Sequence, residues 1–234
     1  MKNIKYYIPN TITCLNLLCG TLATVLALNP VMSPGYFTAQ EWAFILIGLA
    51  ACFDFWDGFS ARLLGAYSPM GKELDSLSDL VSFGIAPAML VMSTMLGFSA
   101  HPYVALVSLL IVVCGALRLA KFNVDTRQTT SFVGLPIPAN AIFWIGALGW
   151  INVHGYPGDV VMCVLVAVVS LLMVSEIKMF SLKFSSWDFK PNVRRYVILL
   201  ATVLFVITDG LAGLAWTIVL YVLISLLGKK TAAQ

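Results

Sequence analysis

Eight stretches of predominantly apolar residues run through this chain, and about 20 such residues are enough to cross a bilayer as a helix. Inside hydrocarbon the backbone polar groups must be satisfied within the protein, which a helix achieves. Of the 234 residues, 60% are apolar and 11% charged, whereas about a quarter are charged in soluble domains. The sequence therefore predicts an all-α, polytopic membrane helix bundle of about eight transmembrane helices, in a single integral-membrane domain over residues 1–234. The stretches lie near 11–28, 42–64, 76–97, 103–121, 135–153, 158–178, 194–208 and 210–227.

The last two apolar stretches are short, so seven spans are the alternative, and the basic residues decide between the two topologies. Eight spans with both termini on one side place all fourteen Lys and Arg residues on that side, whereas seven would move Lys229 and Lys230 across. By the positive-inside rule the basic side is cytoplasmic. We therefore expect an integral protein of the cytoplasmic membrane with both termini inside. The net charge of +3 then reflects topology and does not indicate nucleic-acid binding.

Four aspartates lie between residues 54 and 79, although the flanking stretches are apolar enough to enter a bilayer. A carboxylate in or near hydrocarbon costs several kcal/mol unless it is paired. Asp54 and Asp57 are three residues apart and Asp75 and Asp79 are four apart, so each pair shares one face of a helix. Such oxygen ligands suit hard divalent cations. Two of these ions, about 3.5–4 Å apart, can clamp a phosphoryl group during an in-line displacement.

The residues between the aspartates fit a phosphate ligand. Gly58 and Ala61 are small and continue the face of Asp54, while Arg62 adds a planar fork of donors suited to phosphate. Gly71 lies one turn before Asp75, where a larger side chain would crowd the site.

Three other interpretations of the aspartates remain open. They could be ordinary loop or helix-cap residues, or they could line the cation pathway of a transporter. A transporter would continue the polar path to the far side, yet 44–53 and 81–98 contain no charge. A binding or scaffold protein without catalytic activity would need the same pocket.

The string D-x2-D-G-x2-A-R-x8-G-x3-D-x3-D, from Asp54 to Asp79, resembles the signature of the CDP-alcohol phosphatidyltransferase family at every position. The resemblance implies that family's fold, an enzyme that displaces CMP from a CDP-linked lipid with an alcohol, and two divalent cations, Mg²⁺ or Mn²⁺. It also implies that Asp54 and Asp75 contact both cations, that Asp57 contacts the first and Asp79 the second, and that Asp79 is the general base. The positions matched or placed for contact with the CDP-linked lipid are Asn10, Thr13, Gly58, Ala61, Arg62, Ser68 and Gly71.

Three further stretches, Pro9–Gly20, Ala116–Ala139 and Leu172–Phe184, resemble the bacterial and archaeal phosphatidylserine synthases within this family. This resemblance implies CDP-diacylglycerol and L-serine as substrates, a setting of membrane lipids, and a homodimer. Lys121 departs from the arginine expected before Phe-Asn, which keeps the charge but loses the bidentate fork.

The carboxylate of serine needs cationic donors, and several basic residues lie at predicted cytoplasmic helix ends. The expected serine contacts are Arg118, Lys121, Asn123 and Lys178. Anchoring at the membrane interface is the alternative role for the basic members of this set. Glycerol 3-phosphate is the alternative acceptor, and because it is dianionic it should require more cations near the metals than serine does.

Overall fold

In a computed structural model, which describes residues 4–33, 35–124, 131–180 and 189–227, the chain is almost entirely helical. The helices are α1 (Ile4–Leu28), α2 (Ala39–Leu64), α3 (Pro69–Asp79), α4 (Ala86–Phe98), α5 (Leu109–Val124), α6 (Ile137–His154), α7 (Asp159–Val174), α8 (Phe189–Asp209) and α9 (Ala212–Leu227). A π-helical turn, Leu80–Ile85, joins α3 to α4 without a break, and a 3-10 segment, Pro102–Ser108, leads into α5. The prediction of a helical fold is confirmed for the described residues.

Four helical bodies in the described chain are long and apolar enough to cross a membrane: Lys5–Leu28, Ala39–Leu64, Pro69–Phe98 and Pro102–Val124. Helices α7 and α9 are also apolar but shorter. The sequence did not predict the two strands, β1 (Ser131–Val133) and β2 (Lys178–Phe180), which pair antiparallel. The pairing joins the connection before α6 to the connection after α7.

Local capping explains why α2 and α3 are separated by only four residues. Gly65 adopts the left-handed conformation with φ 58°, which favours glycine, and ends α2. The Ser68 hydroxyl accepts a hydrogen bond from the Gly71 N–H, and Pro69 occupies the first turn of α3. The third helical body therefore begins at Pro69 rather than near residue 76, because a cap, not hydropathy, sets its start.

Helix α1 packs against α2, α3, the π-helical turn and α4. The Ser78 hydroxyl donates to the Thr13 carbonyl at 2.9 Å, and the Ser82 hydroxyl donates to the Asn16 carbonyl at 3.0 Å. At Gly20 a Cβ atom would lie 2.2 Å from Ser82 Oγ and 2.6 Å from Ser82 Cα. Two serines one turn apart therefore fasten α3 and the π-helical turn to α1, and a glycine permits the close approach.

The π-helical turn is also held from the side of α6. The Asn140 amide donates to the Phe83 carbonyl at 2.9 Å, and Trp144 Nε1 donates to Asn140 Oδ1 at 3.0 Å. All three residues are buried, so these bonds satisfy polar groups that would otherwise be costly in the core. On its other face α6 approaches α9, where a Cβ atom at Gly146 would lie 2.2 Å from the Ala215 nitrogen.

The two ends of the bundle are each tied together by polar contacts. At the end that carries the aspartates, Lys72 Nζ donates to the Asn123 carbonyl at 3.0 Å, which joins α3 to α5. At the opposite end, the Ser99 hydroxyl (2.7 Å) and the Tyr156 hydroxyl (2.6 Å) both donate to Asp159. Burial and the bond to Asp159 raise the pKa of Tyr156, which therefore remains a hydrogen-bond donor.

We expect Gly20→Ala to lower the thermal midpoint of the purified protein by several degrees. A Cβ atom at this position would overlap Ser82, and overpacking costs about 1–3 kcal/mol. Melting in detergent, followed by intrinsic fluorescence, measures the change. Gly48→Ala in α2 is the matched control, because a Cβ atom there meets nothing within 4 Å. Equal midpoints for the two variants would contradict the close contact between α1 and the π-helical turn.

Candidate active site

The aspartates of α2 and α3 converge into one cluster. One carboxylate oxygen from each of Asp54, Asp57 and Asp75 lies within 4.8 Å of the other two. Asp79, one turn after Asp75, is buried and interacts electrostatically with Asp54 and Asp75. The structure thus brings three of the predicted metal ligands into one group and places the fourth beside it. A close group with only carboxylate oxygens as donors fits hard divalent cations.

Helix α1 contacts both ends of this cluster. The Thr13 hydroxyl donates to Asp57 Oδ2 at 2.6 Å, and Asn16 Nδ2 lies 3.5 Å from Asp79 Oδ1. Both side chains are buried, and they are three residues apart on one helix face. Sequence reasoning identified Thr13 but missed Asn16. Its only signal was its position three residues after Thr13, on the same face of the helix.

Three of the residues expected to contact the CDP-linked lipid follow the aspartates on α2. A Cβ atom at Gly58 would lie 3.6 Å from an Arg62 guanidinium nitrogen, so this arginine extends back along the helix over the glycine. The Arg62 side chain is exposed, and Ala61 lies in the same last turn, where its carbonyl accepts from the Ala66 N–H at 2.9 Å. The end of α2 therefore presents small residues beside an accessible guanidinium.

Asn10, Ser68 and Gly71 of this predicted set meet where α1 approaches the start of α3. A Cβ atom at Gly71 would lie 3.0 Å from both Asn10 Oδ1 and Ser68 Oγ. A side chain at residue 71 would thus crowd two polar groups at the rim of the site, as the sequence suggested.

The four residues expected to contact serine have different surroundings in the structure. Arg118 is buried, lies over the Phe122 ring, and interacts electrostatically with Asp79. Lys121 forms an ion pair with Glu176, and the Asn123 amide donates to Ser76 Oγ at 2.9 Å. Lys178 lies on β2 opposite Val133, with its side chain exposed. Within the described residues, Arg118 is thus the member found to interact with the aspartate cluster.

Comparison of the sequence with known proteins identifies the family of this chain. The CDP-alcohol phosphatidyltransferase family model matches residues 6–174, which include every aspartate of the cluster. A CDP-diacylglycerol–serine O-phosphatidyltransferase of Methanocaldococcus jannaschii is 38% identical over 172 residues, covering 73% of this chain and 72% of that protein. The chain belongs to the CDP-alcohol phosphatidyltransferase family, and the resemblance of the sequence is confirmed.

Two further relatives agree with this assignment. The Bacillus subtilis protein, also named CDP-diacylglycerol–serine O-phosphatidyltransferase, is 41% identical over 133 residues, covering 56% of this chain and 70% of its own length. The archaetidylserine synthase of Methanothermobacter thermautotrophicus is 36% identical over 182 residues, covering 76% of this chain and 72% of its own.

We expect Thr13→Val to weaken divalent-cation binding by about 10- to 100-fold, because the hydroxyl that fixes Asp57 is lost while the side-chain volume is kept. Titration of the purified protein with Mn²⁺, followed calorimetrically, measures the change. Thr13→Ser should bind nearly as well as the wild type. Thr21→Val is the matched control on the same helix, since Thr21 bonds only to the Leu17 carbonyl. Unaltered Mn²⁺ affinity in Thr13→Val would show that this hydrogen bond does not organise the cluster.

Proposed function

We propose that this protein transfers the phosphatidyl group of CDP-diacylglycerol to the hydroxyl group of L-serine, giving phosphatidylserine and CMP. The observation that carries the proposal is the convergence of Asp54, Asp57 and Asp75, with Asp79 beside them, inside the part of the chain that matches the family. Relatives named as phosphatidylserine or archaetidylserine synthases favour serine as the acceptor.

Two divalent cations, Mg²⁺ or Mn²⁺, would be held by Asp54, Asp57, Asp75 and Asp79. When bound, they would supply the positive charge that neutralises the diphosphate of the CDP-linked lipid. The all-oxygen donor set and the close spacing of three carboxylates support this assignment.

The side chains of the protein would divide the remaining work. Asp79 would accept the proton of the serine hydroxyl, whose oxygen forms a bond to the lipid-attached phosphorus. The bond from that phosphorus to the oxygen of CMP breaks, and CMP leaves with the electron pair. Arg62, accessible at the end of α2, would bind the phosphate that departs with CMP. The remaining contacts to the CDP-linked lipid are assigned to Asn10, Thr13, Gly58, Ala61, Ser68 and Gly71.

In the membrane we propose eight spans, with both termini and the aspartates on the cytoplasmic side. The contacts of Lys72 with Asn123 and of Lys121 with Glu176 support placing the start of α3, the end of α5 and the chain after α7 on one side of the membrane. The number of spans and the orientation rest on the apolar stretches and the distribution of basic residues. Of the basic residues behind the orientation, Lys2, Arg127, Lys183, Lys229 and Lys230 lie outside the described residues. A homodimer is proposed on the family resemblance alone.

The acceptor is tested by incubating purified protein with CDP-diacylglycerol and Mn²⁺ and adding serine, glycerol 3-phosphate or inositol in turn. We expect CMP release and a new phospholipid with serine alone. CMP release with glycerol 3-phosphate and not with serine would show that the assigned acceptor is wrong, whereas phosphatidyl transfer as the reaction would stand. No release with any alcohol would contradict an enzymatic role.

Two variants make this assay specific for the site. Asp79→Asn should lower serine-dependent CMP release by about 10²- to 10⁴-fold, because the general base is lost. Asp209→Asn is the control, since Asp209 accepts from Trp216 Nε1 at the end of α8 and lies far from the cluster in sequence. Near-normal CMP release by Asp79→Asn would show that Asp79 is not the general base.

A further inference from the structure

A cavity of about 240 Å³ lies at the end of the bundle opposite to the aspartates. It is bounded by the last turns of α1, α4 and α6 and by the first turn of α2. Gln40 of α2 lines it, and Asp54 follows 14 residues later on the same helix, about 21 Å along the helix axis. Because the hydrocarbon of a bilayer is about 30 Å thick, the cavity belongs to the leaflet opposite the aspartate cluster.

The lining of the cavity combines apolar side chains with neutral polar ones. Leu26, Leu90 and Phe98 supply apolar surface, while Gln40 and Asn152 carry side-chain amides. No charged residue is found among the described residues that line it. A free metal ion or phosphate would therefore leave its charge uncompensated in this cavity. The lining instead fits a ligand that is partly apolar and offers neutral hydrogen-bonding atoms.

Gln40 requires a hydrogen-bond acceptor. Its Nε2 atom is shielded from solvent and has no acceptor in the part of the chain that the structure describes. A buried N–H group without a partner is costly, and such groups are rare in folded proteins. The nearby Thr94 hydroxyl already donates to the Leu90 carbonyl at 2.9 Å. A ligand oxygen beside Gln40 would thus satisfy a donor that the protein itself leaves unsatisfied.

An apolar strip on α1 leads from the cavity toward the middle of the membrane. Leu18, Leu22 and Leu26 follow one another at intervals of one turn, so they share a face of the helix. Leu18 and Leu22 are exposed, and Leu26 lines the cavity. Ligand sites usually measure about 300–1,000 Å³, so the cavity is too small for a whole lipid. It accommodates the polar end of a lipid whose hydrocarbon chain lies along this strip.

We propose that the cavity binds the glycerol ester region of a phospholipid from the leaflet opposite the aspartate cluster, with an ester carbonyl accepting a hydrogen bond from Gln40 Nε2. Ester carbonyls lie at the boundary between headgroups and hydrocarbon, where the helices that line the cavity begin and end. A neutral carbonyl costs less to bury than a charged phosphate, so it suits the uncharged lining. The inference is independent of the proposed function, since no residue assigned to a substrate or cation is among the described residues of the lining.

The test measures the binding of two matched phospholipids to the purified protein in the same detergent. One is a diacyl phosphatidylcholine, and the other is its dialkyl ether analogue, which lacks the ester carbonyls. Native mass spectrometry measures the bound lipid, and the thermal midpoint measures the stabilisation that follows from binding. We expect the wild type to bind the diacyl lipid about 3- to 10-fold more tightly than the ether lipid, as for one hydrogen bond. Equal binding of the two lipids, or no binding of either, would overturn the proposal.

Gln40→Met keeps the length of the side chain and removes the amide. This variant should bind the diacyl lipid about 3- to 10-fold more weakly than the wild type and should no longer distinguish it from the ether lipid. Asn29→Leu is the matched control, because Asn29 carries an exposed amide at the same end of the bundle and donates to the Val25 carbonyl. A preference for the diacyl lipid that persists in Gln40→Met would contradict the assigned hydrogen bond and overturn the proposal.

A second variant fills the cavity without displacing its walls. Gly97 of α4 lines the cavity, and a Cβ atom there meets nothing within 4 Å. Gly97→Leu should lower the affinity for the diacyl lipid by about 10-fold or more, because the added side chain clashes with the lipid. Gly48→Leu on α2 is the control, since a Cβ atom there also meets nothing within 4 Å. Each variant is measured with and without lipid, so that a change in its own stability cancels. Unaltered lipid binding by Gly97→Leu would show that the cavity holds water only.

Repeating the titration with Mn²⁺ and CDP separates this site from the aspartate cluster. The affinity for each phosphatidylcholine should stay within about twofold, because the two regions are about 21 Å apart along α2. Loss of lipid binding under these conditions would assign the lipid to the aspartate cluster and overturn the inference, while the proposed function would stand. Failure of serine-dependent CMP release would contradict the proposed function and leave the lipid site unaffected.

Discussion

Mutual repulsion among carboxylates is the constraint around which this structure is organised. Oxygens of Asp54, Asp57 and Asp75 lie within 4.8 Å of one another, and Asp79 lies beside them. Two unit charges 4 Å apart interact by about 4 kcal/mol at an effective dielectric constant of 20. Such a cluster persists only where the fold holds it in place and positive charge compensates it.

Helix α1 makes many of the contacts that keep the cluster in place. The Thr13 hydroxyl donates to Asp57, while the carbonyls of Thr13 and Asn16 accept from Ser78 and Ser82, which lie on either side of Asp79 in the chain. The π-helical turn that follows is bonded from the other side by Asn140 of α6. The aspartates are therefore positioned by contacts on both sides of α3 and not only by the spacing along their own helices.

Arg118 connects this cluster to the end of the chain. It interacts electrostatically with Asp79 and Asp54 and also with Tyr221 of α9, whose hydroxyl donates to the Phe180 carbonyl of β2. The residues that define the reaction class thus lie within 6–174, while part of the surroundings of Arg118 comes from α9.

The sequence predicted the features that depend on local pattern. Apolar stretches coincide with the helical bodies, and the spacing of the aspartates placed each pair on one helix face, because both signals follow from helical periodicity. The pairing of β1 with β2 was missed, since strands of three residues in polar connections have no distinctive periodicity. Asn16 and Tyr221 were missed for a different reason. Their importance comes from partners 63 and 41 residues away in the chain, which no local pattern encodes.

The most direct measurement is an anomalous difference map at the manganese edge, from crystals of the protein grown with Mn²⁺. Two peaks about 3.5–4 Å apart, between the carboxylates of α2 and α3, are expected for a pair of cations that acts on one phosphoryl group. Asp54 and Asp75 should lie next to both peaks, with Asp57 and Asp79 next to one each. A map without peaks at these carboxylates, or with Mn²⁺ bound elsewhere, would contradict the assignment of this cluster as a two-metal phosphatidyl-transfer site.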